Sequence, residues 1–259
     1  MNRTERHIPT LEARNLIHTF ENGRRGLDDV SLTLSPGSFT VMAGANGSGK
    51  SLFLKHLVGL EHPDSGEVLL DGQPARRNWG KSRAKLGLTF QDAEAQILGT
   101  TLEEDVAFGP LQQGLTTREV RERTQEALRV CGLAGREKDL TAVLSGGEKR
   151  RLNLASVLAL NPAILLLDEP FSGLDLPGVQ AFLSILLDLH QEGRTILLVT
   201  HDLEKCLAHA QRLVLWKDGK ILADSTPFQA WDCIPNAGVF RPSLNSDQTH
   251  QLTWLGLRS

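Results

Sequence analysis

Three short stretches of the chain are apolar almost throughout: Phe39 to Ala43, Ala163 to Leu167 and Thr195 to Thr200. Runs of that length, closed by turn residues, predict strands buried on both faces. Val30 to Leu34 alternates apolar and polar residues instead, which predicts a strand with one wet face. Further strands are predicted at Glu67 to Leu70, ending in the turn pair Asp71-Gly72, and in a short run ending at Phe90. A helical pattern follows Gly44 to Gly49, with Leu52, Leu54, Leu57 and Val58 on it. A second covers the middle of the chain, about 100 to 160, where Thr116 and Glu119 form a capping box. A third runs from about Val179 to His190, and a last hairpin pairs Arg212 to Trp216 with Lys220 to Asp224 about Asp218-Gly219. Strands alternating with helices in the second half predict a parallel α/β sheet, and the paired strands near the start predict an antiparallel subdomain. The tail from about Trp231 to Ser259 reads as irregular and exposed, and carries no functional signal.

Composition narrows this picture. A chain of 259 residues, 40% hydrophobic and 23% charged, has enough apolar surface for a large core, and no repeat or linker divides it. No apolar run approaches the roughly 18 residues of a membrane span, and the polar start has no leader-like apolar region. A soluble chain is expected. The scattered Cys131, Cys206 and Cys233 form neither a disulfide framework nor a zinc motif, which fits a reducing compartment. Lys and Arg number 28 against 31 Asp and Glu, so the formal charge of −3 argues against a protein that grips nucleic acid. The basic run Arg76, Arg77, Lys81, Arg83 and Lys85 lacks interleaved aromatics and reads as a solvated loop before a strand. None of the eight histidines has a metal-ligand spacing.

Candidate chemistry begins at Gly44-Ala45-Asn46-Gly47-Ser48-Gly49-Lys50-Ser51, a GxxxxGK[ST] loop between a strand and a helix. Glycines let such a loop turn its N–H groups around phosphates, with the positive helix end behind them. Lys50 is expected to reach the β- and γ-phosphates, and the Ser51 hydroxyl to ligate Mg²⁺. Asp168 and Glu169 close the buried run Ile164 to Leu167. A carboxylate at the carboxyl end of a parallel strand sits where open α/β sheets bind ligands. Asp168 is the expected Mg²⁺ partner and Glu169 the residue that orients or deprotonates attacking water. A third element, Leu144-Ser145-Gly146-Gly147-Glu148-Lys149, opens a helix with a hydroxyl and two glycine amides, a second anion site. Two phosphate-binding loops with one nucleotide fingerprint are reconciled if the second completes a site on another copy of the chain.

The LSGGE stretch resembles the signature of the ABC ATPases. Ser172-Gly173-Leu174-Asp175 is similar to that family's SGLD loop, and Thr200-His201-Asp202 to its switch histidine. Gln91 stands where the family has its Q-loop, and Phe20 where it has an aromatic stacked on adenine. The resemblance covers about residues 10 to 225. It implies a single ABC-type P-loop domain: a mainly parallel sheet core, an antiparallel β-subdomain, a helical subdomain at about 95–160 and a tail at 226–259. It also implies that Phe20 and Gly44 to Leu52 bind ATP, that Ser51, Gln91 and Asp168 hold Mg²⁺, and that Glu169, His201 and Gln91 act in hydrolysis. Ser145, Gly146, Gly147 and Glu148 would face ATP bound by the partner chain, with Ser172 to Asp175 as a dimer-contact loop.

Within the family, Phe90 to Ile97, Thr101 to Pro110 and Gly114-Leu115 are similar to the cobalt/nickel and energy-coupling-factor importer ATPases. Gln96 matches that group's second glutamine, while Asp92-Ala93 stand where it often has Asn-Pro. The resemblance implies an ATP-hydrolysing dimer of identical or paralogous chains, at the inner face of the cell membrane. It would drive separate integral membrane subunits in uptake of Co²⁺, Ni²⁺ or a vitamin such as biotin, with no nucleic-acid partner. A non-transport ABC ATPase acting on DNA or ribosomes is the rival reading, but such chains usually carry a coiled-coil insertion or a second cassette, and this one has neither. A P-loop GTPase is excluded by the lack of an NKxD motif.

Overall fold

The computed structural model describes residues 7–255. Its backbone is a six-stranded sheet set against a four-stranded one. The smaller, antiparallel sheet joins β1 (Leu11–Thr19), β2 (Arg25–Leu34), β4 (Ser65–Leu70) and β5 (Gln73–Pro74) in the order β2-β1-β4-β5. The larger contains β3 (Phe39–Gly44), β6 (Leu86–Thr89), β7 (Ile164–Asp168), β8 (Thr195–Val199), β9 (Arg212–Lys217) and β10 (Lys220–Ser225). Its order is β10-β9-β3-β8-β7-β6, with every pairing parallel except the β9–β10 hairpin.

The apolar runs are explained by which core each face of that sheet meets. Side chains alternate along a strand. Val41, Leu165, Leu167, Ile196, Leu198, Leu213 and Leu215 enter one core, with α3 (Leu102–Gln112), α4 (Thr117–Val130), α5 (Gly146–Ala159) and α6 (Leu176–Gln191). Met42, Ile164, Leu166, Leu197, Val199, Val214 and Trp216 enter the other, against the antiparallel sheet and α1 (Lys50–Leu57). Neither face is wet, so alternation disappears from the sequence. β2, with only one face on the core, keeps it.

β1 and the two-residue β5 are the strands that the hydrophobic pattern does not announce; in β1 the reason is visible. Leu11, Ala13 and Leu16 are its core residues, and a bulge between Ala13 and Leu16 breaks the period of two. Asn15 absorbs the bulge at φ 47°, with its amide on Asp29 Oδ1 at 2.9 Å. The helical middle resolves into three helices packed on one another, two of them opened by capping boxes at Thr116/Glu119 and Ser145/Glu148 and the third by Thr101/Glu104. Two expectations are corrected. The basic run is not a loop: Ala75–Asn78 forms a 3₁₀ turn and Trp79–Arg83 a short helix, α2, because Arg83 donates to the free carbonyls of Val58 and Gly59 at the end of α1. The tail is not an exposed irregular segment, because Trp231, Ile234, Ala237, Val239 and Leu252 are buried in the helical core and α7 (Pro227–Ala230) introduces them. No helix among the described residues is long and apolar enough to cross a membrane.

Phe182 on α6 is fully buried and meets Phe171 edge-on at 6.1 Å, joining the helical layer to the loop after β7. Phe182→Ala is expected to lower unfolding stability by about 3–5 kcal/mol. Urea titration by circular dichroism measures it, and a loss under about 1 kcal/mol would contradict this packing.

Candidate active site

Four parallel strands release their chains at one edge of the sheet: β3 into the 44–51 loop, β6 into Phe90-Gln91, β7 into Asp168-Glu169 and β8 into Thr200-His201. The register makes them neighbours. Glu169 N donates to Val199 O at 2.9 Å and Thr200 N to Met42 O at 3.0 Å.

The loop is shaped by where its carbonyls go. Lys50 Nζ donates to Gly44 O at 2.7 Å and Ala45 O at 2.8 Å, which closes the loop into a ring. Ser48 O accepts from both Trp216 Nε1 and Gly219 N, each at 2.8 Å. With these carbonyls held from outside or by the lysine, the amides of Asn46, Gly47, Gly49, Lys50 and Ser51 have no acceptor among the described residues. They form an open nest at the positive end of α1. The glycines follow from close approach: a Cβ on Gly44 would lie 2.2 Å from Trp216 O, and Gly49 combines φ +108° with a Cβ position 2.5 Å from Gly26 O.

The loop lines a cleft of about 680 Å³ with Phe20, Gln91, Asp168 and Glu169. Phe20 stands at its rim with the Arg24 guanidinium 5.4 Å from its ring centroid. Gly44 and Ala45 do not line the cleft but carry the Lys50 ammonium. That ammonium is buried, and desolvation lowers its pKa from the usual lysine range while Glu169 and Asp168 pull it back. Burial raises the Asp168 pKa, against a hydrogen bond from Ser51; Glu169 nearby raises it further.

A magnesium ion fits these residues. Asp168 Oδ1 and Ser48 Oγ are buried polar atoms without a hydrogen-bond partner, although Asp168 is paired with Ser51 through its carboxyl group. Hydroxyl, carboxylate and amide oxygens from Ser51, Asp168 and Gln91 are the hard donors that a small divalent cation prefers.

Glu169 is 5% exposed and sits at φ 46°, a left-handed backbone that costs a non-glycine residue about 1 kcal/mol or more. Its Oε1 lies 2.9 Å from His201 Nδ1, so the imidazole N–H donates to the carboxylate. His201 itself is outside the lining of the cleft and about half exposed, joined to it through Glu169.

The signature residues are somewhere else. Ser145, Gly146 and Gly147 line a separate cavity of about 860 Å³ with Gly173, Leu174 and Asp175, and it shares no residue with the first. Ser145 and Glu148 cap α5 reciprocally. Backbone and Arg136 hydrogen bonds pull the Glu148 carboxyl down to about 2, so Glu148 serves the cap and does not line the cavity. Ser172 lines neither space; its amide donates to Glu169 O at 3.2 Å. Gln96 holds the end of β6, accepting from Phe90 N and donating to Leu88 O, and Asp92 caps the turn after Gln91 as an asparagine would.

Sequence reasoning missed several supports. Arg150 on α5 reaches Gln91 O at 3.3 Å and Glu169 O at 3.4 Å, tying two site loops together. Ala45 N donates to Ala237 O at 3.0 Å, so the tail braces the phosphate loop. The signal for Arg150 was its place on the first turns of the signature helix; Ala237 contributes a carbonyl, which no residue type announces.

Comparison with known proteins agrees with this geometry. The ABC transporter family model matches residues 27–172. A cobalt import ATP-binding protein, CbiO, of Rhodobacter capsulatus is 42% identical over 219 residues, 83% of this chain and 78% of that one. An energy-coupling factor transporter ATP-binding protein, EcfA, of Methanocaldococcus jannaschii is 37% identical over 84% of this chain and 79% of its own. Among solved structures, cbiO1 of Clostridium perfringens, part of an ABC transporter complex, superposes with a TM-score of 0.78 at 30% identity, covering 88% of this chain and 94% of that one. A dimeric bacterial ABC transporter cassette gives 0.76 at 30% identity, covering 83% and 98%. The chain therefore belongs to the ABC transporter ATP-binding proteins, with likeness to the CbiO and energy-coupling-factor subunits, and is an ATPase that powers transport.

Proposed function

We propose that this ATPase works as a head-to-tail dimer, of identical or paralogous chains, that drives an importer for a transition-metal ion or a vitamin. The observation that carries the dimer is the separation of the two cavities: the 145–147 segment and the 173–175 loop surround a space that shares no lining residue with the chain's own phosphate cleft. A second chain turned about a two-fold axis brings each signature cavity over the other's nucleotide. Ser145 and Gly147 then hold the γ-phosphate from the far side, with Leu174 and Asp175 at the seam.

In each site Phe20 stacks on the base, while the open amides and Lys50 hold the phosphates. Ser51, Asp168 and Gln91 would hold magnesium, which would neutralise charge on the phosphate oxygens when bound. Glu169 orients the attacking water and accepts its proton, and its burial, with its amide on Val199 O, keeps that carboxylate in one place. His201 fixes Glu169 through Nδ1, which keeps its ring beside the γ-phosphate that Glu169 faces. Phosphoryl transfer of this kind depends on positioning and charge more than on covalent chemistry.

The coupling to import is supported by relatives named for cobalt import and energy coupling. It is supported also by exposed apolar residues on α3, Phe108 and Leu111, and in the segments flanking it, Leu98, Leu140 and Val143. In this reading the segment at about 95–160 meets integral membrane subunits, and the chain lies on the cytoplasmic face of the membrane. The rival, action on DNA or ribosomes, has no support in the slightly acidic net charge.

Glu169→Gln is expected to bind ATP as the parent does while turnover falls about 10²- to 10⁴-fold; phosphate release assays on the purified chain measure it, and full turnover contradicts the role given to Glu169. Ser145→Arg is expected to abolish hydrolysis without changing the nucleotide affinity of the isolated chain, and an active monomer would contradict the composite site. A tagged chain recovered from detergent-solubilised membranes is expected to bring integral membrane proteins with it; recovery with ribosomes or nucleic acid alone would favour the rival.

A further inference from the structure

The segment after β8 leads away from the active site into a line of paired charges. His201 Nδ1 faces Glu169, and its Nε2 lies 3.5 Å from Asp202 Oδ1. The other oxygen of Asp202 accepts from Lys205 Nζ at 2.5 Å. Lys205 is 8% exposed, a poor place for an ammonium unless its charge is matched. Asp202 matches it on one side. On the other, the ammonium lies 4.9 Å from the ring centroid of Trp254, a cation–π contact in a partly desolvated setting.

Trp254 is itself fixed at both ends of its peptide unit. Its N–H donates to Lys205 O at 3.2 Å, and its carbonyl accepts from Gln180 Nε2 on α6 at 2.8 Å. The neighbouring residues repeat the docking: Ala208 N donates to Leu252 O at 3.0 Å, and His209 Nε2 lies 2.8 Å from Thr253 Oγ1. The far end of the chain thus forms the back wall of the segment that carries the switch histidine.

We propose that Trp254 is a positioning residue for ATP hydrolysis, holding Lys205 against Asp202 so that the turn at 202–205 keeps the His201 ring on Glu169. Without the indole, Lys205 gains access to water, Asp202 loses its fixed partner, and the turn that carries His201 loosens beside Glu169. Trp254 lines neither the nucleotide cleft nor the signature cavity, so its effect on the reaction is indirect. The inference rests on the roles proposed above for Glu169 and His201.

Steady-state ATP hydrolysis by the purified full-length chain tests it, with Trp254→Leu, Trp254→Phe, Thr253→Val and His201→Ala assayed beside the parent. Trp254→Leu keeps apolar bulk but removes the ring face; kcat is expected to fall about 3- to 10-fold with KM for ATP unchanged. Trp254→Phe restores a ring face and is expected to recover most of the turnover. Thr253→Val, which removes the neighbouring hydroxyl contacts to His209 and to Leu255 N, is expected to turn over as the parent does. Parental kcat in Trp254→Leu overturns the proposal, as does a rise in KM that accounts for the loss. A Trp254→Phe variant as slow as Trp254→Leu, or an equal loss in Thr253→Val, also overturns it, because the tail would then matter only as packing. Full turnover in His201→Ala would instead refute the underlying role of His201; loss in His201→Ala with none in Trp254→Leu refutes the Trp254 proposal alone.

Discussion

The carbonyls of residues 44 to 49 have to point away from the cleft if their amides are to point into it, and much of the structure serves that constraint. Lys50 turns back on Gly44 and Ala45, and Trp216 and Gly219 both bind Ser48 O. Trp216 belongs to β9, so the strand beside β3 in the sheet is what holds the loop open. The turn at Gly219 is in turn fixed by Asp28 N on its carbonyl, which brings the antiparallel sheet into the same brace. Fold and site are coupled here: the packing that buries Trp216 also directs the dipoles that face the phosphates.

The second organising fact is electrostatic. Lys50, Asp168 and Glu169 are all nearly buried within one cluster, one positive charge against two negative. Desolvation acts on each of the first two toward its neutral form, and mutual attraction opposes it. Such a cluster leaves an excess of negative charge and an unpartnered carboxylate oxygen on Asp168, the condition that a divalent cation relieves. Glu169, held in a strained backbone and by His201, is kept as a separate functional group beside that cation site.

Most of the parallel sheet was legible in the sequence because fully buried strands leave continuous apolar runs, and the phosphate loop because its glycines answer to close contacts that any side chain would violate. The caps at Thr116 and Ser145 were equally legible, since they depend on residue types at fixed spacing. Three things were hidden. β1 was masked by the bulge at Asn15, which shifts its apolar residues out of alternation. The basic stretch at 76–85 took its helical form from a tertiary partner, the free carbonyls at the end of α1, and no local pattern carries that. The tail looked irregular because it packs through isolated apolar residues, Trp231, Ile234 and Leu252, spaced by turns, and because its brace on Ala45 is a backbone carbonyl. The motifs proposed to act in hydrolysis can each be read along the sequence, whereas their connections through Arg150 and Lys205 exist only in three dimensions.

The account depends most on the claim that each reaction site is built from two chains, and mixing two inactive variants measures that directly. Lys50→Ala disables a phosphate loop but leaves its signature intact; Ser145→Arg does the reverse. In a mixed dimer one site joins two damaged halves and the other joins two sound ones. Each variant alone is expected to be silent in ATP hydrolysis, and an equimolar mixture to regain turnover at one of the two sites. A mixture that associates and binds ATP yet stays as silent as its components would contradict the composite site.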